Sequence, residues 1–67
     1  MNDLYPDAQP SIEEQIKCVL REIGMRERVY PRWIEQRKLL PEKAERELAL
    51  MRAVLETLRQ VERTTLR

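Results

Sequence analysis

The sequence predicts an all-α protein, an antiparallel helical hairpin. Apolar residues recur at helical steps of three and four along two long stretches. Leu39–Leu40–Pro41 separates those stretches. One glycine, 4% aromatic and 37% charged residues fit a helical bundle and not a β-sandwich. Residues 1–10 are expected to form a flexible leader, and residues 11–67 the hairpin.

In the leader, Pro6 and Pro10 lack amide donors and restrict the residues before them. Leu4 and Tyr5 are its candidates for packing on the hairpin. The first helix is expected over about residues 12–39. Ser11 is a good N-cap, and Glu14 stands three residues on, at capping-box spacing. Glu13 and Glu14 lie where acidic side chains complement the helix dipole. Ile12, Ile16, Val19, Ile23, Tyr30 and Trp33 then form one stripe, with Arg26 and Arg37 in phase with it.

Pro31 interrupts this helix. Such a proline removes one backbone hydrogen bond, here to the carbonyl of Glu27, at a cost of about 3 kcal/mol. The stripe keeps its phase through Tyr30, Trp33 and Ile34, which favours a kinked helix over two separate ones. Pro41 suits the first turn of a second helix, expected over about residues 41–63, with Glu42 complementing its dipole. Ala44, Leu48, Met51, Leu55 and Leu58 form its stripe. A short connection makes the helices antiparallel neighbours, placing Trp33 near Leu48, Tyr30 near Met51, Arg26 near Leu55 and Ile23 near Leu58.

The 67-residue chain is small. A core of this size supplies about 3–5 kcal/mol without help from a disulfide, a metal or a partner subunit. Cys18 is the single cysteine and histidine is absent, so neither an internal disulfide nor a Cys/His zinc site can form. Beside the main stripe, Leu50, Val54 and Val61 extend the apolar face of the second helix, as Leu20, Val29 and Ile34 do on the first. Contiguous exposed apolar surface needs a partner. The sequence therefore predicts a homodimer forming a four-helix bundle, with Leu20, Ile34, Leu50, Val54 and Val61 as dimerisation residues, the alternative being that Tyr5 and the leader cover the excess.

Catalysis is not expected. No histidine serves as a general base, and one glycine, Gly24, makes no phosphate-binding loop. No cofactor or metal is implied. Cys18 lacks a histidine partner and is expected to be a small buried filler. A net charge of +1 gives no electrostatic reason to expect nucleic acid, no apolar run spans a bilayer, and the acidic residues 1–10 are unlike a signal peptide. A lone cysteine suits a reducing compartment, so a cytoplasmic location is expected.

The segment Arg21–Lys38 carries a balance of +3, against −3 in residues 1–20. Within it Arg26, Arg28, Tyr30, Arg32, Trp33 and Arg37 are candidate partner-binding residues, because Arg, Tyr and Trp are enriched at interface hot spots. The bland alternative places Tyr30 and Trp33 in the core and the arginines on a solvated face paired with glutamates. Glu45, Glu47 and Glu56 are candidate mates for Arg26 and Arg37. A basic segment with interleaved aromatics also suits single-stranded nucleic acid.

The runs REIGMRERVYPRWIEQRKL (Arg21–Leu39) and AERELALMRAVLETLR (Ala44–Arg59) resemble short helical proteins encoded by bacteriophages and prophages of proteobacteria. The most distinctive part is Val29–Tyr30–Pro31–Arg32–Trp33. Many such proteins carry a glycine and a small N-cap residue at the turn, where this chain has Arg37–Lys38–Leu39–Leu40–Pro41. The resemblance implies an accessory protein that binds a host protein, inhibiting or otherwise modulating it. A nucleic-acid-associated regulator and a structural adaptor are the alternative expectations.

Overall fold

A computed structural model describes residues 9–65. It contains two helices, α1 (Ile12–Glu35) and α2 (Pro41–Thr65), packed against each other as a hairpin. Leu4 and Tyr5 of the leader, the candidates for packing on the hairpin, lie outside the described residues.

The start of α1 is built as its sequence demands. The Glu14 amide donates to Ser11 Oγ at 3.0 Å, and the Ser11 amide donates to Glu14 Oε1 at 2.9 Å, a reciprocal capping box. Gln15 adds a bond from Nε2 to the Pro10 carbonyl at 3.2 Å, fixing the entry of the chain. From there α1 continues through Pro31 to Glu35 without a break. The proline ring is exposed, so the carbonyl left without its amide partner faces the side where water can serve it.

The first helix ends earlier than the expected residue 39. Gln36 is its C-cap, and Arg37 takes φ 61°, the left-handed conformation. The Arg37 amide donates to the Ile34 carbonyl at 3.0 Å, and the Lys38 amide to the Trp33 carbonyl at 2.8 Å. These two bonds constitute a Schellman motif, which satisfies the last carbonyls of the helix. Glycine usually occupies the position that Arg37 holds here, and an L-residue there gives up roughly 1–2 kcal/mol. Arg37 was expected to continue the apolar phase, and it instead ends the helix. The turn signal was hidden because no glycine or asparagine marks it.

Pro41 opens α2, and the first helical bond runs from the Ala44 amide to the Leu40 carbonyl at 3.0 Å. Leu40 stands before that first turn, and its side chain has no oxygen with which to cap the free amides. At the far end, Thr64 Oγ1 donates to the Gln60 carbonyl at 3.0 Å, and the helix persists to Thr65, two residues beyond the expected end.

The hydrophobic seam between the helices is one residue wide. Ile16, Ile23 and Leu55 form its buried centre, with Ile12, Val19, Leu48, Met51 and Leu58 packed around them. Tyr30 and Ala44 continue it toward the turn, Ala44 being the most enclosed of all at 4% exposure. Among the described residues no large side chain is fully enclosed. The seam therefore delivers less than the about 1.5–3 kcal/mol per side chain that complete burial would give. Arg52 of α2 reaches across to Glu27 of α1 at 2.5 Å, fixing which flanks of the two helices adjoin.

Two changes test how these local features set stability. Arg37→Gly should raise stability by about 0.5–1 kcal/mol, since glycine adopts the left-handed turn without strain. For a domain of this size that is roughly 2–8 °C in Tm, measured by thermal circular dichroism. Pro31→Ala should raise helicity and stability by about 1–2 kcal/mol, restoring the amide bond to Glu27. If the near-ultraviolet band of Trp33 were lost in a folded Pro31→Ala protein, the proline would instead be setting a helix direction that packing requires.

Candidate interaction surfaces

The six arginine and aromatic candidates do not form one patch. Tyr30 is buried against the seam, at 8% exposure. Trp33, although in phase with it, remains 41% exposed and packs on Tyr30, with ring centroids 5.8 Å apart and a 39° tilt. The burial of the expected stripe thus ends at Tyr30, and Trp33 beyond it remains largely in solvent.

Arg26 is half-buried and occupied within its own helix. Its Nη1 donates to Glu22 Oε1 at 2.6 Å and to the Glu22 carbonyl at 3.4 Å. The guanidinium is held above its ordinary pKa by Glu22 first, with the Tyr30 hydroxyl adding to the effect. None of Glu45, Glu47 or Glu56 pairs with it; Glu56 lies 3.4 Å from Arg63 instead. The carboxylate four residues back was nearer than any across the seam.

The remaining candidates are available. Arg28, Arg32 and Arg37 are exposed, and none forms an ion pair among the described residues. Arg21, Arg28 and Arg32 follow one another at helical steps of seven and four, giving α1 a cationic outer face. At the turn, Arg32, Arg37 and Lys38 flank two exposed apolar groups, Trp33 at 41% and Leu40 at 65%. Leu40 also edges a shallow, open depression bordered by Glu42, Lys43, Arg46 and Glu47. In the sequence Leu40 is marked only as part of the turn; the signal of its exposure is a large apolar group where a capping oxygen is usual.

The expected dimerisation residues fall on two flanks. The Glu27–Arg52 ion pair marks one of them. Leu20, Gly24, Glu27, Pro31 and Ile34 succeed one another along that side of α1, and Arg52, Glu56, Arg59 and Arg63 along that side of α2. The opposite flank carries Cys18, Met25 and Val29 from α1 with Leu50, Val54 and Val61 from α2. Leu20 and Ile34 therefore lie away from Leu50, Val54 and Val61. Leu20, Leu50, Val54 and Val61 are each between 41% and 47% exposed, while Ile34 is half-buried.

Cys18 is exposed, contrary to the expected buried filler. Its helical position puts it on the second flank, away from the seam. Among the described residues no three acidic or cysteine side chains converge as metal ligands, and no helix is long and apolar enough to cross a membrane. What this surface can do chemically is present guanidinium donors beside an indole and a leucine. Comparison with protein-family models, with curated proteins and with solved structures finds no match to this chain.

Proposed function

We propose that the protein is a dimeric, non-catalytic accessory protein that binds a host protein through the turn end of its hairpin and modulates it, by inhibition. The observation that carries this reading is the composition of the turn end. Trp33 and Leu40 are exposed at this end, where Arg32, Arg37 and Lys38 are exposed as well, beside Glu35 and Glu42. An exposed tryptophan in a segment rich in arginine matches the composition of interface hot spots. Arg28 extends the cationic rim along α1.

Backbone strain supports the same location. Arg37 holds φ 61° where glycine folds more easily, and Leu40 sits where serine or aspartate would cap α2. Both side chains are unfavourable for folding, and a site that departs from local rules is where function is expected. The resemblance to phage and prophage proteins supplies the setting, a bacterial cytoplasm, and the kind of target, a host protein.

The test is capture from bacterial lysate with the intact protein as bait, comparing the parent with two variants. Arg28→Ala combined with Arg32→Ala should melt within about 0.5 kcal/mol of the parent. It should also lose most of the captured partner, since interface arginines contribute roughly 2 kcal/mol or more on truncation. Arg37→Gly should melt higher than the parent and capture less. Full capture by both variants places the contact elsewhere. Capture that vanishes steeply with added salt and depends on nucleic acid in the lysate would support the regulator reading in its place.

A further inference from the structure

Lys17, Arg21, Arg28 and Arg32 lie along one line of α1, at steps of four, seven and four residues, about half a turn around from Ile16 and Ile23. All four are exposed, and none forms an ion pair among the described residues. The glutamates of α1 that could neutralise them are committed elsewhere. Glu14 accepts from the Ser11 amide, Glu22 holds Arg26, and Glu27 holds Arg52. Glu13 and Glu35 stand at the two ends of the line and pair with neither Lys17 nor Arg32. A solvated surface usually carries both signs interspersed. Between Lys17 and Arg32 this face carries one sign only, over a rise of about 22 Å.

We propose that this outer face of α1 docks an acidic helix of the partner protein, with two couples of carboxylates facing Lys17–Arg21 and Arg28–Arg32. The assignment rests on the host-protein reading above and names the chemistry of the partner's contact. The intervals along the line, about 6, 10 and 6 Å, are those of a helix bearing acidic residues at the same steps. An extended acidic segment presents a side chain on one side about every 7 Å, which would set a charge over the central gap. At that gap a Cβ added to Gly24 would meet nothing within 4 Å, and Met25 is 36% exposed. The docked helix can place an apolar side chain there, between its two charged couples. A nucleic-acid strand fits less well, because it carries charge at every step. The line also offers no ring for bases to stack on: Tyr30 is buried, and Trp33 stands about 100° around the helix from Arg32.

Two synthetic helical peptides of identical composition test this. One carries four glutamates at steps of four, seven and four; the other has the same glutamates distributed around its helix. Titrated into the isotope-labelled intact protein, the first should shift the resonances of Lys17, Arg21, Met25, Arg28 and Arg32. It should bind about tenfold tighter than the second, a difference within reach of several exposed ion pairs, and its affinity should fall with added salt. Lys17→Glu combined with Arg21→Glu, its fold checked by circular dichroism, should abolish the preference. A peptide whose facing glutamates are changed to lysine should restore binding to that variant. Equal affinity for the two peptides, binding of neither, or tighter binding of a single-stranded oligonucleotide overturns the proposal. Lysate capture separates it from the turn-end contact. A partner lost from the Arg28→Ala, Arg32→Ala protein but fully retained by Lys17→Ala with Arg21→Ala overturns the docked helix and leaves the turn-end contact standing.

Discussion

Two helices share only one seam, and the rest of the hairpin follows from that constraint. Ile16, Ile23 and Leu55 meet along a line, with half-buried residues above and below, and among the described residues no further layer closes over them. A third layer would convert each partly exposed side chain into a core residue. Within the described hairpin the seam is open at its sides, and Leu20, Leu50, Val54 and Val61 lie on its flanks. The two flanks have different chemistry. One is laced by Glu27 and Arg52 and carries Glu56, Arg59 and Arg63 of α2; the other carries the Glu22–Arg26 pair on α1 and, between Leu48 and Glu62, no charge on α2. An exposed ion pair of this kind contributes only about 0.2–1 kcal/mol. Its larger consequence is geometric, since it ties one flank of each helix to the other and leaves the opposite flanks side by side.

The ends of the helices carry the second constraint. Ser11 and Glu14 satisfy the first amides of α1 with their own side chains, and the Schellman bonds from Arg37 and Lys38 satisfy its last carbonyls. The start of α2 has no such device beyond Pro41, which lacks an amide to satisfy, and Glu42 in its first turn. Stability is therefore invested at the outer end of α1, while the turn between the helices is left strained and incompletely capped. That contrast places the least favourable local chemistry at Leu40, the most exposed large apolar side chain among the described residues.

Much of the hairpin was legible in the sequence because it depends on short-range signals. The capping box, the apolar stripes and Pro41 mark both helices, and residues of both stripes, Ile16, Ile23 and Leu55 among them, share the seam. The end of α1 was not legible: a left-handed arginine looks like any other arginine until its backbone is seen. The site was legible in composition and not in arrangement. The segment that holds Arg28, Arg32 and Trp33 stood out by charge and aromatic content, but periodicity alone could not separate Tyr30, which is buried, from Trp33, which is exposed. The grouping of Leu20 and Ile34 with Leu50, Val54 and Val61 failed to anticipate that they fall on opposite flanks. Sequence shows how far a residue lies from the seam along its own helix; which flank faces which requires the pairing of the two.

The left-handed turn at Arg37 has a consequence for the gene as well as for the chain. Every arginine codon lies a single base change from a glycine codon. The more easily folded turn is therefore always within reach of point mutation, with no intermediate residue to pass through. A lineage in which the side chain at this position made no contact would meet no genetic barrier to losing it, and natural proteins drift readily among substitutions that leave function untouched. The identity of this one residue in relatives is thus a record, independent of any binding measurement, of whether the turn end is in use.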